Sequence, residues 1–151
     1  MTRREERGSA LVELTWLGML LLIPMLWIVL SVFEVQKGAF GVSSAARAAG
    51  RAYALAPNDA LGRAHAEQAA RQALADQGLP DVPLTVTVTC TPYPNDCHQG
   101  TSVITVRVAS RVDLPLLPDV LGGRAPSFAL NASHTVPIGQ YQELDRASPP
   151  H

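Results

Sequence analysis

Few residues in this chain have the type and spacing for chemistry, and the first is an acid in an apolar setting. In "RREERGSALVELTWLGMLLLIP", residues 3–24, Glu13 stands just inside a long apolar run. Insertion scales put an acidic residue at the centre of a membrane span about 2.5–3.5 kcal/mol uphill, and less near its end. Glu13 either reaches back to the headgroups and does nothing else, or meets a cation in the membrane. A second group is Cys90, Cys97 and His98, in "CTPYPNDCH". Zinc sites take four ligands and space their paired cysteines by about two to four residues. Here six residues intervene, no second pair exists, and a disulfide is expected. Closing so short a loop contributes roughly 2–3 kcal/mol by loop entropy. His134 falls on the apolar face of a strand, where a lone histidine is a packed core residue. His65 has no carboxylate or serine partner by spacing. Asn131-Ala132-Ser133 matches the short, common glycosylation sequon. No nucleophile elbow, phosphate loop or paired carboxylates stand out by motif. No catalytic set can be built from His65, His98 and His134, so neither an enzyme nor a cofactor, metal or small-molecule substrate is expected.

The elements that must position these residues begin with the apolar run. From Leu14 to Phe33 no residue is ionisable. At the helical rise this run is about 30 Å long, the thickness of a hydrocarbon core. A secretory signal is the competitor, but its apolar region would span about 7–15 residues with a small-residue cleavage site close behind. Here the next small cluster, "SSAARAAG", starts well past the end of the run. A retained membrane helix is therefore expected, with Pro24 a tolerated kink. Arg3, Arg4 and Arg7 precede the span more tightly than Lys37, Arg47 and Arg51 follow it, which favours a cytoplasmic N-terminus. The cysteine pair agrees with an exported C-terminal domain. The chain of 151 residues has a net charge of −1, and neither charge nor motif points to nucleic acid.

Beyond the span, residues 34–56, "EVQKGAFGVSSAARAAGRAYALA", continue as helix. Gly38, Gly41, Ala45, Ala49 and Ala52 fall at three-and-four spacing and form a stripe that lets another helix approach closely. The plainer alternative is an alanine-rich helix driven by propensity. Pro57-Asn58-Asp59 stops this helix and caps the next, which runs over 59–77 to Gly78 with Gly62, Ala66, Ala69, Ala70, Ala73 and Leu74 on one face. It could also be the second half of one long bent helix. The pattern then changes to period two in "LTVTVTCT", "TSVITVRVASRV" and "SFALNASHTV", three half-buried strands. The first two are joined by the hairpin loop "PYPNDCHQG", and the last two by "DLPLLPDVLGGRAP". The fold class is α+β: a transmembrane helix continuing into an Ala/Gly-rich helix, a second helix, and a three-stranded antiparallel sheet whose apolar face is covered by helix. The boundaries are a basic leader at 1–8, the span at 9–33, the extension at 34–56, an α+β domain at 57–140 and a disordered tail at 141–151.

The N-terminal "RGSALVEL" followed by the apolar run resembles the processing region of TadE-like proteins, pseudopilin-type components of the bacterial Tad (tight adherence, or Flp) pilus assembly system. The family pattern is a basic leader, a glycine, four residues, then glutamate, usually followed by an aromatic. Gly8 and Glu13 fit it, and Leu14 stands where the aromatic is usual. The likeness continues in "SSAARAAGRAYA" and, more loosely, through the strands. It implies a pseudopilin-like fold, cleavage between Gly8 and Ser9 by a prepilin peptidase at the cytoplasmic face, and Glu13 as the fifth mature residue. That carboxylate would pair with the free α-amine of a neighbouring subunit. A pair in lipid offsets two desolvation costs, whereas a lost partner leaves an uncompensated charge.

The partners then expected are the lipid bilayer, other pilin-like subunits, the Tad membrane platform proteins and the peptidase. The protein would be single-pass in the cell membrane, with an extracytoplasmic C-terminal domain. The alternative is an anchored, exported binding module unrelated to pili, its helix only a tether.

Overall fold

The computed structural model describes residues 6–113 and 127–139, with side chains from Ala10 onward. The start of the expected leader, most of the "DLPLLPDVLGGRAP" connection and the tail lie outside the described residues. The first helix, α1 (Glu6–Ala54), has 49 residues and passes unbroken through Pro24, a length of about 74 Å at the helical rise. It unites the expected span and its extension in one rod. Among the described residues it is the one helix long and apolar enough to cross a membrane, with a mean hydropathy of 2.3 over its best stretch. Hydroxyls inside this stretch bond back to the helix: Thr15 Oγ1 donates to the Leu11 carbonyl and Ser31 Oγ to that of Trp27.

Residues 55–58 then reverse the chain. Asn58 is the N-cap of α2 (Asp59–Asp76), its side chain accepting from Leu61 N–H at 3.0 Å. This cap supplies one of the unsatisfied first-turn donors with a partner, and it separates α2 from α1 rather than letting one bent helix form. At the other end Gly78 takes φ +72°, and the Leu79 N–H returns to the Leu74 carbonyl at 2.9 Å. Only a residue without Cβ adopts that left-handed turn cheaply.

Strands β1 (Leu84–Thr91), β2 (Val103–Asp113) and β3 (Ser127–Pro137) form an antiparallel sheet in the order β1-β2-β3. Val106 pairs with Val88 on one side and His134 on the other. That register puts Ile104, Val106, Val108 and Val112 on one buried face. The threonines of β1 face outward.

The sheet's apolar face is covered chiefly by the second half of α1. A methyl group placed on Gly38 would stand 2.5 Å from Leu130 Cδ1 and 2.7 Å from Val112 Cγ2, and one on Gly50 would stand 3.1 Å from His134. On another side of α1 lies α2, antiparallel to it. Gly62 lies against the Tyr53 ring, and Gly41 lies against Leu74 and Leu79. Ala45, Ala49, Ala66 and Ala70 are fully enclosed. Small side chains bury little area each, so the stability here comes from backbone proximity repeated along a whole helix.

The space above Gly38 can be probed directly. Gly38→Leu should cost about 1–3 kcal/mol through overpacking and render the sheet sensitive to limited proteolysis in detergent. Gly18 has nothing within 4 Å, and Gly18→Leu should leave the digestion pattern unchanged.

Candidate functional site

Among the described residues, two places combine unusual chemistry with defined geometry. The first is the lower part of α1. The backbone at Gly8 and Ser9 belongs to the helix, so the expected processing junction and Glu13 share one continuous rod. Glu13 sits on that rod in an exposed setting, with Leu11, Val12, Leu14 and Trp16 around it exposed as well. Every large apolar side chain from Leu14 to Ile23 is more than half exposed. That suits an element solvated by lipid and not by the rest of its own chain.

The small-residue stripe is largely enclosed. Gly38, Gly41, Ala45 and Ala49 are buried, and Ala52 is half-buried. The helix expected to approach them is the chain's own α2, and the sheet takes the Gly38 end. The stripe does pack closely, but within the molecule, because the cap at Asn58 folds α2 straight back along α1.

The second place is the corner where α1 passes into α2. Cys90 and Cys97 are bridged, with Cα atoms 5.4 Å apart, as expected from the sequence. Between them lies Pro92, preceded by a cis peptide. The bridge holds the loop after β1 against the helices and presents His98 to their corner. His98 Nδ1 lies 2.6 Å from Asp59 Oδ1, and Nε2 lies 3.1 Å from the Tyr53 carbonyl. The Cys97 N–H donates to the other Asp59 oxygen at 3.3 Å. The His98 ring stacks on Tyr53, with centroids 5.3 Å apart.

At Asp59, burial acts to raise the carboxyl pKa. The hydrogen bonds from His98 and from the Cys97 N–H, with the help of the nearby Tyr53 hydroxyl, outweigh it, so the carboxyl titrates below its ordinary 3.8. Both ring nitrogens of His98 face oxygens, and the residue is 6% exposed. A catalytic histidine needs one nitrogen free for a reacting group; this one spends both on holding the corner. It is a clasp between loop and helices.

Sequence spacing places His98 beside a cysteine but gives no reason to join it to a residue 39 positions away. A usable signal is present at the cap. Asn58 and Asp59 are both capping types, a helix needs one, and the second is left to bind elsewhere. The other expected positions stay apart. His65 is exposed on α2, His134 is half-buried over Gly50, and Asn131 is exposed on β3. Among the described residues no group of three or more His, Cys, Asp or Glu side chains could hold a metal ion.

Comparison with protein-family models, with curated proteins and with solved structures finds no match for this chain.

The clasp has a defined pH dependence. The folded-state pKa of Asp59 is depressed, so its contribution is present above the unfolded value near 3.8 and is lost as pH falls through the lower folded value. Asp59→Asn should cost about 1–3 kcal/mol at neutral pH and should flatten the loss of stability between about pH 5 and the acid limit. Denaturant titrations of the detergent-solubilised chain at several pH values would measure both.

Proposed function

We propose that this chain is a single-pass, membrane-anchored pseudopilin-like component of a Tad/Flp-type pilus assembly machinery, of the TadE-like kind. The observation that carries it is the placement of Glu13. It lies five residues beyond Gly8, exposed on an unbroken helix whose following twenty residues suit a hydrocarbon core. A carboxylate there is uphill in lipid. Removal of residues 1–8 would create an α-ammonium at Ser9 and give neighbouring copies complementary charges at nearly one depth. Pairing them would fix axial register, which a uniformly apolar rod cannot specify.

The disulfide supports an extracytoplasmic domain, since such bridges persist in oxidising compartments. The N-terminus is then cytoplasmic, where the basic residues Arg3, Arg4 and Arg7 belong. The domain acts by contact: its anchor meets lipid, other pilin-like subunits and platform proteins, and its sheet meets partners outside.

One observation favours a second reading, an exported binding module tethered by α1. The small-residue stripe above the span is occupied by the chain's own α2 and sheet, so that part of α1 has less free surface for a filament's helical core.

N-terminal sequencing of membrane-extracted protein distinguishes the two. The pseudopilin function expects Ser9 as the first residue in cells that hold the peptidase; a chain beginning at Met1 removes it. Glu13→Ala should leave membrane insertion intact and reduce assembly by at least about tenfold, equivalent to the loss of roughly 1.4 kcal/mol per contact. Pilus counts by electron microscopy check this, and normal pili with Ala at position 13 would refute the charge pairing.

A further inference from the structure

We propose that the end of the sheet at Phe128 rests on the bilayer itself, at the boundary of headgroups and hydrocarbon, so that the domain lies on the membrane rather than standing off on its helix. This rests on α1 being a membrane span and goes beyond it, because a span alone does not say how near the domain sits.

Two contacts fix the geometry. At Gly38, α1 meets Leu130 and Val112; at Gly50 it meets His134 and Val136. Residues of β3 therefore rise in the same direction as those of α1. The scales agree: twelve helical residues cover about 18 Å, and the five strand residues from Leu130 to the middle of the His134–Val136 pair cover about 17 Å. Phe128 lies two positions before Leu130 on the same face of the strand. It also pairs directly with Val112, the other residue that reaches Gly38, so Gly38 stands between the two levels and Phe128 lies about 3 Å below it, or about two helical residues. Phe128 is thus level with Gln36, about 5 Å above Phe33, the last residue of the uncharged run.

The chemistry at that level fits a lipid surface. Phe33 is 64% exposed and Phe128 is 49% exposed, two large apolar rings left outside the core. Lys37 sits one turn above Phe33 on α1, exposed, with its Nζ close to Gly78 at the end of α2. An aliphatic stem with its ammonium at headgroup height is where a lysine meets lipid phosphate. The opposite end of the sheet, where Thr91, Val103 and Pro137 pair across the strands, leads into the disulfide loop. Tyr53, against which that loop is clasped, is twenty helical residues above Phe33, about 30 Å away.

Fluorescence quenching by lipid tests the depth. Trp16 and Trp27 are the two tryptophans of the chain, and Phe replaces both. Single tryptophans are then introduced in the full chain as Phe33→Trp, Phe128→Trp or Tyr93→Trp, the last in the disulfide loop. Each chain is reconstituted in phosphatidylcholine vesicles with bromine at acyl positions near the headgroup. The expected result is clear quenching of Phe128→Trp, weaker than that of Phe33→Trp at the edge of the hydrocarbon, and little quenching of Tyr93→Trp. Where Phe128→Trp does not fold, as judged by protease resistance, Ser127→Trp on the exposed outer face reports the same level. If the probe at 128 or 127 behaves like Tyr93→Trp while Phe33→Trp is quenched, the sheet stands clear of the bilayer and the proposal is overturned with the span intact. If Phe33→Trp itself is not quenched, the spanning helix fails first and the proposal fails with it.

Discussion

The fold depends on how closely other chain segments can approach α1. Above Phe33 that helix presents glycine and alanine to both of its neighbours: Gly38 and Gly50 to the sheet, Gly41 to the end of α2, and Ala45 and Ala49 fully enclosed. Backbone-to-side-chain contact at these positions replaces the interdigitation of large residues that an ordinary core uses. The constraint is strict because it acts at fixed distances. Val112 is β-branched and stiff, and the Tyr53 ring is held by stacking on His98, so neither can retreat far. Dispersion attraction falls steeply with separation, so a helix pushed outward by even a fraction of an ångström forfeits much of it along its whole length.

The far end of the domain shows what supplements this close packing. The Cys90–Cys97 bridge limits the unfolded chain, and the loop it closes is fastened to the helical corner by His98 and by the Cys97 N–H, both on Asp59. The carboxylate thereby ties the loop to the start of α2, and His98 Nε2 ties it to the end of α1 through the Tyr53 carbonyl. Its two oxygens take two donors, so its burial is compensated in a way that a single bond would not achieve. The polar corner and the small-residue interface are coupled through Tyr53, which packs on Gly62 and on His98 at once.

Much of this is legible in the sequence, for reasons that differ by element. The strands show because alternation is a local pattern: Val86, Val88 and Cys90 turn inward and the threonines between them outward. The ends of α2 show because Asn58 and Gly78 have conformational preferences that act over a few bonds. The disulfide shows because an even, closely spaced pair leaves few other uses. What does not show depends on contacts distant along the chain. The partner of the stripe cannot be read from its spacing, since a small-residue face fits a foreign helix and a folded-back one equally well. Phe128 continues the alternation of β3, yet it remains half exposed, and no local pattern announces that. His98 and Asp59 carry no joint signal, as nothing local relates residues on opposite sides of the disulfide loop.

One helix is apolar enough to cross a membrane in its lower part and packs against its own chain in its upper part, and its composition changes between the two. From Leu14 to Met25 its large side chains are Leu, Ile, Met and Trp, all more than half exposed; above Phe33 it is Gly and Ala against its own chain, with Lys37, Arg47 and Arg51 exposed. Lipid tails are as apolar as leucine, so helices within the span gain little from apolar burial against one another and associate through packing geometry and polar contacts. A helix approaching α1 from another molecule is confined to what its own domain leaves open: the apolar length up to Phe33, where Glu13 is the one ionisable group beyond Ala10, or the exposed face through Phe40, Arg47 and Arg51.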